Sequence, residues 1–264
     1  MNTPTYKNPP VVEFILGVQF SDLSQWNSGF TGKFWDELGD DWPRISDAPP
    51  IQNAFESFES PIWRQHQKLQ FSLEQEAKFR SIIKHTSGAR LIQIQPTRFL
   101  LNWRKTENQK PSFKSLIEEF ETNFQSFRDF VGANKLGDIL PNQWELIYID
   151  SFSKGKYWNS LDDFTDFLPG LYGKESSAVS EGLQIENRSA DLVYEIKPRQ
   201  GRVHVNSRIG KWGTSDEAVI VTTTARGPIH EDNLRHGLDL GHKYAIEVFH
   251  KITSHSIKEI WEKV

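Results

Sequence analysis

The spacing of apolar residues predicts an α+β protein. It reads as a tandem repeat of strand, short helix, antiparallel strands and long helix, with sheets covered on one face by the long helices. Two observations carry this. Period-two alternation opens the chain at 11–20 and returns at 144–149. Apolar stripes at steps of three and four then close each run of strands, at 113–131 and at 238–252. The repeated order divides the chain into a first half, 1–138, and a second, 139–264, within one pseudo-symmetric unit. Each half alone would leave an apolar strand and an apolar helix stripe bare, and a shared or paired sheet would bury both. Saddle-like and helix-grip architectures offer analogies, which bring no function with them.

Taken in order, Pro9 and Pro10 precede a strand over 11–20 that places Val12, Phe14, Leu16, Val18 and Phe20 on one face. Phe34, Trp35 and Leu38 predict a short helix over 31–38, and Trp42-Pro43 and Pro49-Pro50 punctuate a loop. Strands are predicted over 69–73, 79–85, 89–95 and 98–104, the last two joined by a Pro96-Thr97 turn in an antiparallel meander. Phe113, Leu116, Ile117, Phe120, Phe124, Phe127 and Val131 form the stripe of a long helix, started by Pro111-Ser112 and stopped by Gly132. After a linker at 137–142, Trp144, Leu146 and Tyr148 open the second half. A short helix around Leu161, Phe164, Phe167 and Leu168 precedes Pro169-Gly170. Strands follow over 182–187, 191–197, 202–209 and 218–224. Leu238, Ala245, Val248, Phe249 and Ile252 mark the closing helix. Ser256 and Glu259, at capping-box spacing, predict one more turn before Trp261.

The composition excludes several classes. With no Cys there are no disulfides, Cys-ligated zinc, iron–sulfur clusters or Cys nucleophiles. No apolar run approaches the roughly 20 residues that span a bilayer, so no membrane association is expected. The polar, proline-rich first ten residues do not read as a signal peptide. A soluble, cytoplasmic protein is the expectation. The net charge of -4 disfavours a nucleic-acid partner, which usually calls for a basic excess. The 18 Phe, 9 Trp and 6 Tyr are read chiefly as core. Trp26, Trp63, Trp158 and Trp212 fall outside the periodic stripes and are candidates for a partner surface.

Three strings resemble one family. They are Tyr6-Lys7-Asn8-Pro9-Pro10-Val11-Val12-Glu13 at the start, and Ile92-Gln93 through Asn102-Trp103-Arg104 with Pro111-Ser112-Phe113 in the middle. The third is the C-terminal run with His242, Phe249, Ile252-Thr253 and Trp261. The sequence resembles an uncharacterised family of bacterial and archaeal proteins of about this length, sporadically distributed and without an established activity. The resemblance therefore supplies no catalytic residue. Its scattered occurrence implies mobile or defence-associated genes, antiviral defence among them.

Catalytic signatures are mostly absent: there is no phosphate loop, dinucleotide fingerprint, nucleophile elbow or zinc-protease motif. His230, His236 and His242 are six residues apart, which on a helix separates neighbours by about 120°, so no metal site is expected. The adjacent pairs Asp40-Asp41, Glu118-Glu119 and Asp162-Asp163 read as solvated faces, and Asp239 with His242 as a structural pair. Two strands stand out. Arg98, Asn102 and Arg104 project to one side of the first, backed by Phe99, Leu101 and Trp103. Arg202, His204, Asn206 and Arg208 project to one side of the second, backed by Val203 and Val205. Apolar inside and cationic outside is the pattern of a half-solvated sheet, and Arg suits bidentate contact with phosphate or carboxylate.

These residues are the predicted ligand- or partner-binding set of a non-enzymatic interaction module. Its cationic sheet face would bind a protein partner or an anionic ligand, and self-association is a further reading. No cofactor is expected. The alternative is an enzyme acting on a phosphate-containing substrate, with His204 or His242 as the acid–base group, because an imidazole titrates near neutrality.

Overall fold

The computed structural model describes residues 6–59, 62, 79–106, 111–173, 185–213, 217–230 and 233–261. In chain order these form β1 (Val11–Phe20), α1 (Ser28–Glu37), β2 (Arg44–Ala48), β3 (Arg80–Lys84), β4 (Arg90–Gln95), β5 (Arg98–Arg104) and α2 (Phe113–Ala133). Next come β6 (Pro141–Ser153), a 3-10 turn (Leu161–Asp163), α3 (Phe164–Phe167), β7 (Ala190–Ile196), β8 (Gly201–Lys211), β9 (Glu217–Pro228), α4 (Leu234–Ile252) and α5 (His255–Ile260). All nine strands join one antiparallel sheet in the order β2-β3-β4-β5-β1-β6-β9-β8-β7. The two opening strands pair at its centre, with Leu16 opposite Leu146. Of the shared or paired sheet expected, the chain forms the shared one.

Alternation gives the sheet two unlike faces. On one, Phe99 stacks among Phe120, Phe124 and Phe127 of α2, with ring centroids 6.0, 5.5 and 5.3 Å away. Burying one such ring contributes about 1.5–3 kcal/mol. Trp144 of β6 meets α4 at its glycines. A Cβ on Gly237 would stand 2.2 Å from the indole, and one on Gly241 2.7 Å from it. Glycine at these two positions lets the helix backbone settle onto the ring. The Ser112 hydroxyl caps α2 by accepting from the Ser115 N–H at 3.1 Å.

Several local expectations are corrected. The loop between Trp42 and Pro50 contains β2, an edge strand whose sequence, Arg-Ile-Ser-Asp-Ala, carries no apolar alternation because little of it is buried. The strand expected over 69–73 lies outside the described residues, as does part of 182–187, and 185–187 is irregular. The cap of α5 is Ser254, which accepts from the Ile257 N–H, because α4 already ends at Ile252 and the helix restarts before Ser256. Trp26 and Trp158 belong to the core. Trp26 sets its ring edge-on to Phe127 at 5.2 Å, and Trp158 donates its indole N–H to the Phe152 carbonyl at 2.8 Å. Trp212 is half-buried and Trp63 lies outside the described residues. Among the described residues no helix is long and apolar enough to cross a membrane.

Candidate functional site

The second face of the sheet carries the predicted residues. Antiparallel pairing aligns them in rows that cross the strands. One row runs Leu100, Gly17, Glu145, Arg226, Arg202. The next runs Asn102, Ile15, Ile147, Thr224, His204, and a third Arg104, Glu13, Ile149, Thr222, Asn206. Both strands singled out in the sequence therefore present their polar sides to the same face.

Only part of that face is half-solvated: Ile147, Ile149, Thr222, Thr224, His204 and Asn206 are partly exposed, while the part around Arg98 is covered. Arg98, Asn102 and Arg202 are buried, Arg98 with 2% of its surface exposed. The cover is the chain's own segment 51–58, which crosses β4, β5, β1, β6, β9 and β8 as a strap held by side chains. Gln95 of β4 accepts from the Ile51 N–H and donates to the Ile51 carbonyl, both at 2.9 Å. Arg98 of β5 donates to the Gln52 carbonyl at 3.2 Å. Gln19 of β1 accepts from the Ala54 N–H at 2.9 Å, and Gln143 of β6 from the Glu56 N–H at 3.2 Å. Arg202 of β8 donates to the Ser57 carbonyl at 2.7 Å and lies 4.3 Å from the centre of the Phe58 ring.

Glu56 ends the strap in a cationic clamp. Its carboxylate accepts from Arg202 at 2.6 Å and from Arg226 at 2.9 Å, and lies 2.7 Å from His204 Nε2. Its side chain is 3% exposed. Burial alone would raise the carboxyl pKa. The hydrogen bonds from His204 and Arg202 and the charges of His204 and Arg226 outweigh it and hold the group at about 2. A second buried pair joins Arg98 to Glu145, and Arg98 also donates to Gln19 at 2.8 Å. Burial lowers the Arg98 pKa while Glu145 opposes it. Asn102 donates to Glu13 at 2.6 Å and accepts from Gln93 at 2.7 Å.

The remaining predicted residues sit toward the margin. Arg104 is half-exposed and reaches Glu13 at 3.0 Å. Arg208 is exposed and donates to Asn206 at 2.6 Å, and Asn206 in turn donates to Asp191. His242 lies on the opposite face, with Nδ1 2.7 Å from Tyr148 Oη.

Sequence reasoning missed Glu56, Arg226, Gln19, Gln95 and Gln143. Gln and Glu at alternate positions of central strands was the available signal, because a sheet interior tolerates such groups only when they are bonded. The Pro49-Pro50 pair, which favours extended backbone, marked the strap. No family model, curated protein or solved structure matches the chain.

Proposed function

We propose that the protein is a non-enzymatic binding module whose polar sheet face holds an extended segment bearing a carboxylate. The observation that carries this reading is the clamp on Glu56 beside a row of amides that engage backbone. Gln95 takes both backbone polar groups of one residue, Ile51, and Gln19 and Gln143 each take an N–H. Such contacts are indifferent to side-chain identity, while Arg202, His204 and Arg226 require an acid. A protein partner with an extended acidic segment, or an anionic ligand, would use the same groups once the strap has left them. Arg104 and Arg208 at the margin would steer its approach.

The same reading takes the chain as an internal duplication. Supporting it, β5-β4-β3 flanks β1 in the same reversed order as β9-β8-β7 flanks β6. Each half also ends in a long helix with aromatic or glycine contacts to its own strands. The helices would cover one face and leave the other to the strap or its replacement.

The test is a chain in which residues 50–58 are replaced by a Gly/Ser linker of equal length, with Glu56→Gln in the full chain as the second variant should the first not fold. A fluorescent peptide of sequence 49–59 should bind either chain saturably, more weakly as salt rises. Binding should be lost when Arg202 and Arg226 are both changed to Ala. A folded linker chain that ignores the peptide would overturn the proposal.

A further inference from the structure

On the opposite face, between the start of α2 and the middle of α4, lies a partly open cavity of about 560 Å³. This is the size of sites that hold small organic molecules. Its floor includes one cross-strand row, Trp103, Phe14, Tyr148 and Thr223. Phe14 and Tyr148 are stacked at 4.4 Å. The wall is built around a pair of rings: Phe113 of α2 lies parallel to the His242 imidazole of α4, 3.8 Å between centroids and 5° apart. The lining is rich in aromatic rings; beside Lys7, Ser112 and His250, a few polar groups lie on the floor and on α4.

Those few groups converge. Tyr148 Oη and His242 Nδ1 are hydrogen-bonded at 2.7 Å. Asp150, two residues along β6, is a buried carboxylate that also lines the cavity. The Thr223 hydroxyl is buried and has no hydrogen-bond partner among the described residues. Thr223 is the cross-strand neighbour of Tyr148 on the cavity floor. Burial first, and then the charge of Asp150, raise the Tyr148 pKa well above the ordinary value. The phenol therefore keeps its proton and can donate.

We infer that this cavity binds a small, uncharged, flat and largely apolar molecule carrying one hydroxyl or phenol. Its rings would lie among Phe14, Trp103 and Phe113, and its hydroxyl would join the hydrogen-bonded pair of Tyr148 and His242. An anionic ligand fits less well, because the buried Asp150 carboxylate would repel it. The site is separate from the strap and stands whether or not the sheet-face proposal does.

The experiment uses N-phenyl-1-naphthylamine, a neutral dye that brightens in apolar surroundings, with the full chain. Saturable binding of one dye per chain is expected. 2-Naphthol should displace it about tenfold better than 2-methylnaphthalene, the effect of roughly one hydrogen bond. Tyr148→Phe should erase that preference. Ala245→Phe, which fills the cavity from α4, should abolish dye binding; Ile246→Trp serves if that chain does not fold. Absence of saturable binding, undiminished binding in the filled chain, or a naphthol preference that survives Tyr148→Phe would each refute the site.

Discussion

Replacing Glu56 by Gln keeps the size of the side chain and removes the charge that three cationic or donor groups share. The carboxyl is held at about 2 against an ordinary 4.5. At 1.36 kcal/mol per pH unit, the carboxylate contributes about 3 kcal/mol to the folded state at neutral pH. Because the side chain is 3% exposed, solvent screens little of it. The sign follows from the depressed value. The stabilisation is complete above 4.5 and fades as pH falls from there toward 2. By pH 3 about 1 kcal/mol should remain. Urea unfolding followed by far-UV circular dichroism measures both points. Wild type should exceed Glu56→Gln by about 3 kcal/mol at pH 7 and by about 1 kcal/mol at pH 3. A gap under about 1 kcal/mol at pH 7, or one unchanged at pH 3, would show that the strap is not held electrostatically at this residue.

Two further outcomes bear on the frame that carries the sites. Arg98→Leu leaves Glu145 buried, with Arg226 3.9 Å away, and should cost about 3–5 kcal/mol in urea unfolding. Adding Glu145→Leu should recover part of that loss, and a double variant no more stable than the single would remove the pair from the account. Gly237→Ala drives a Cβ to 2.2 Å from Trp144 and should cost about 1–3 kcal/mol, read as a lower Tm. The loss should shrink in a Trp144→Leu background, where the indole is gone, and an undiminished loss there would place the strain elsewhere.

The strands with buried alternation were legible: β1 and β5 run over the predicted residues, and α2 starts at its predicted Ser112 cap. Their patterns are set by one apolar face meeting a core, which local spacing records. β2 was not legible, because an edge strand of mostly exposed residues needs no apolar period. Trp26 and Trp158 looked unplaced for a related reason. They enter the core from connections outside the periodic strands and helices, where spacing carries no signal, yet both are buried. Placing Arg98, Asn102 and Arg202 on one face was within reach of alternation. Their burial was not, because the strap reaches Arg202 from 146 residues away and Arg226 from 170.

Charge matching on that face changes what partner recognition there requires. A solvated cationic patch has no need of acids beneath it. This face sets buried Glu13 and Glu145 and the strap's Glu56 against Arg98, Arg104, Arg202, Arg226 and His204. Its charges are therefore already matched, and any incoming segment competes with a tethered one. If the Glu56 contacts alone hold the strap down by about 3 kcal/mol, the open form is roughly one molecule in a hundred or fewer. The apparent affinity of a partner for the intact chain then falls by that same factor relative to a chain without the strap. A weak capture by wild type and a strong one by the linker chain is thus the signature of binding at this face. Equal capture by both would mean that the partner touches only the margin, at Arg104 and Arg208, where no strap contact has to break.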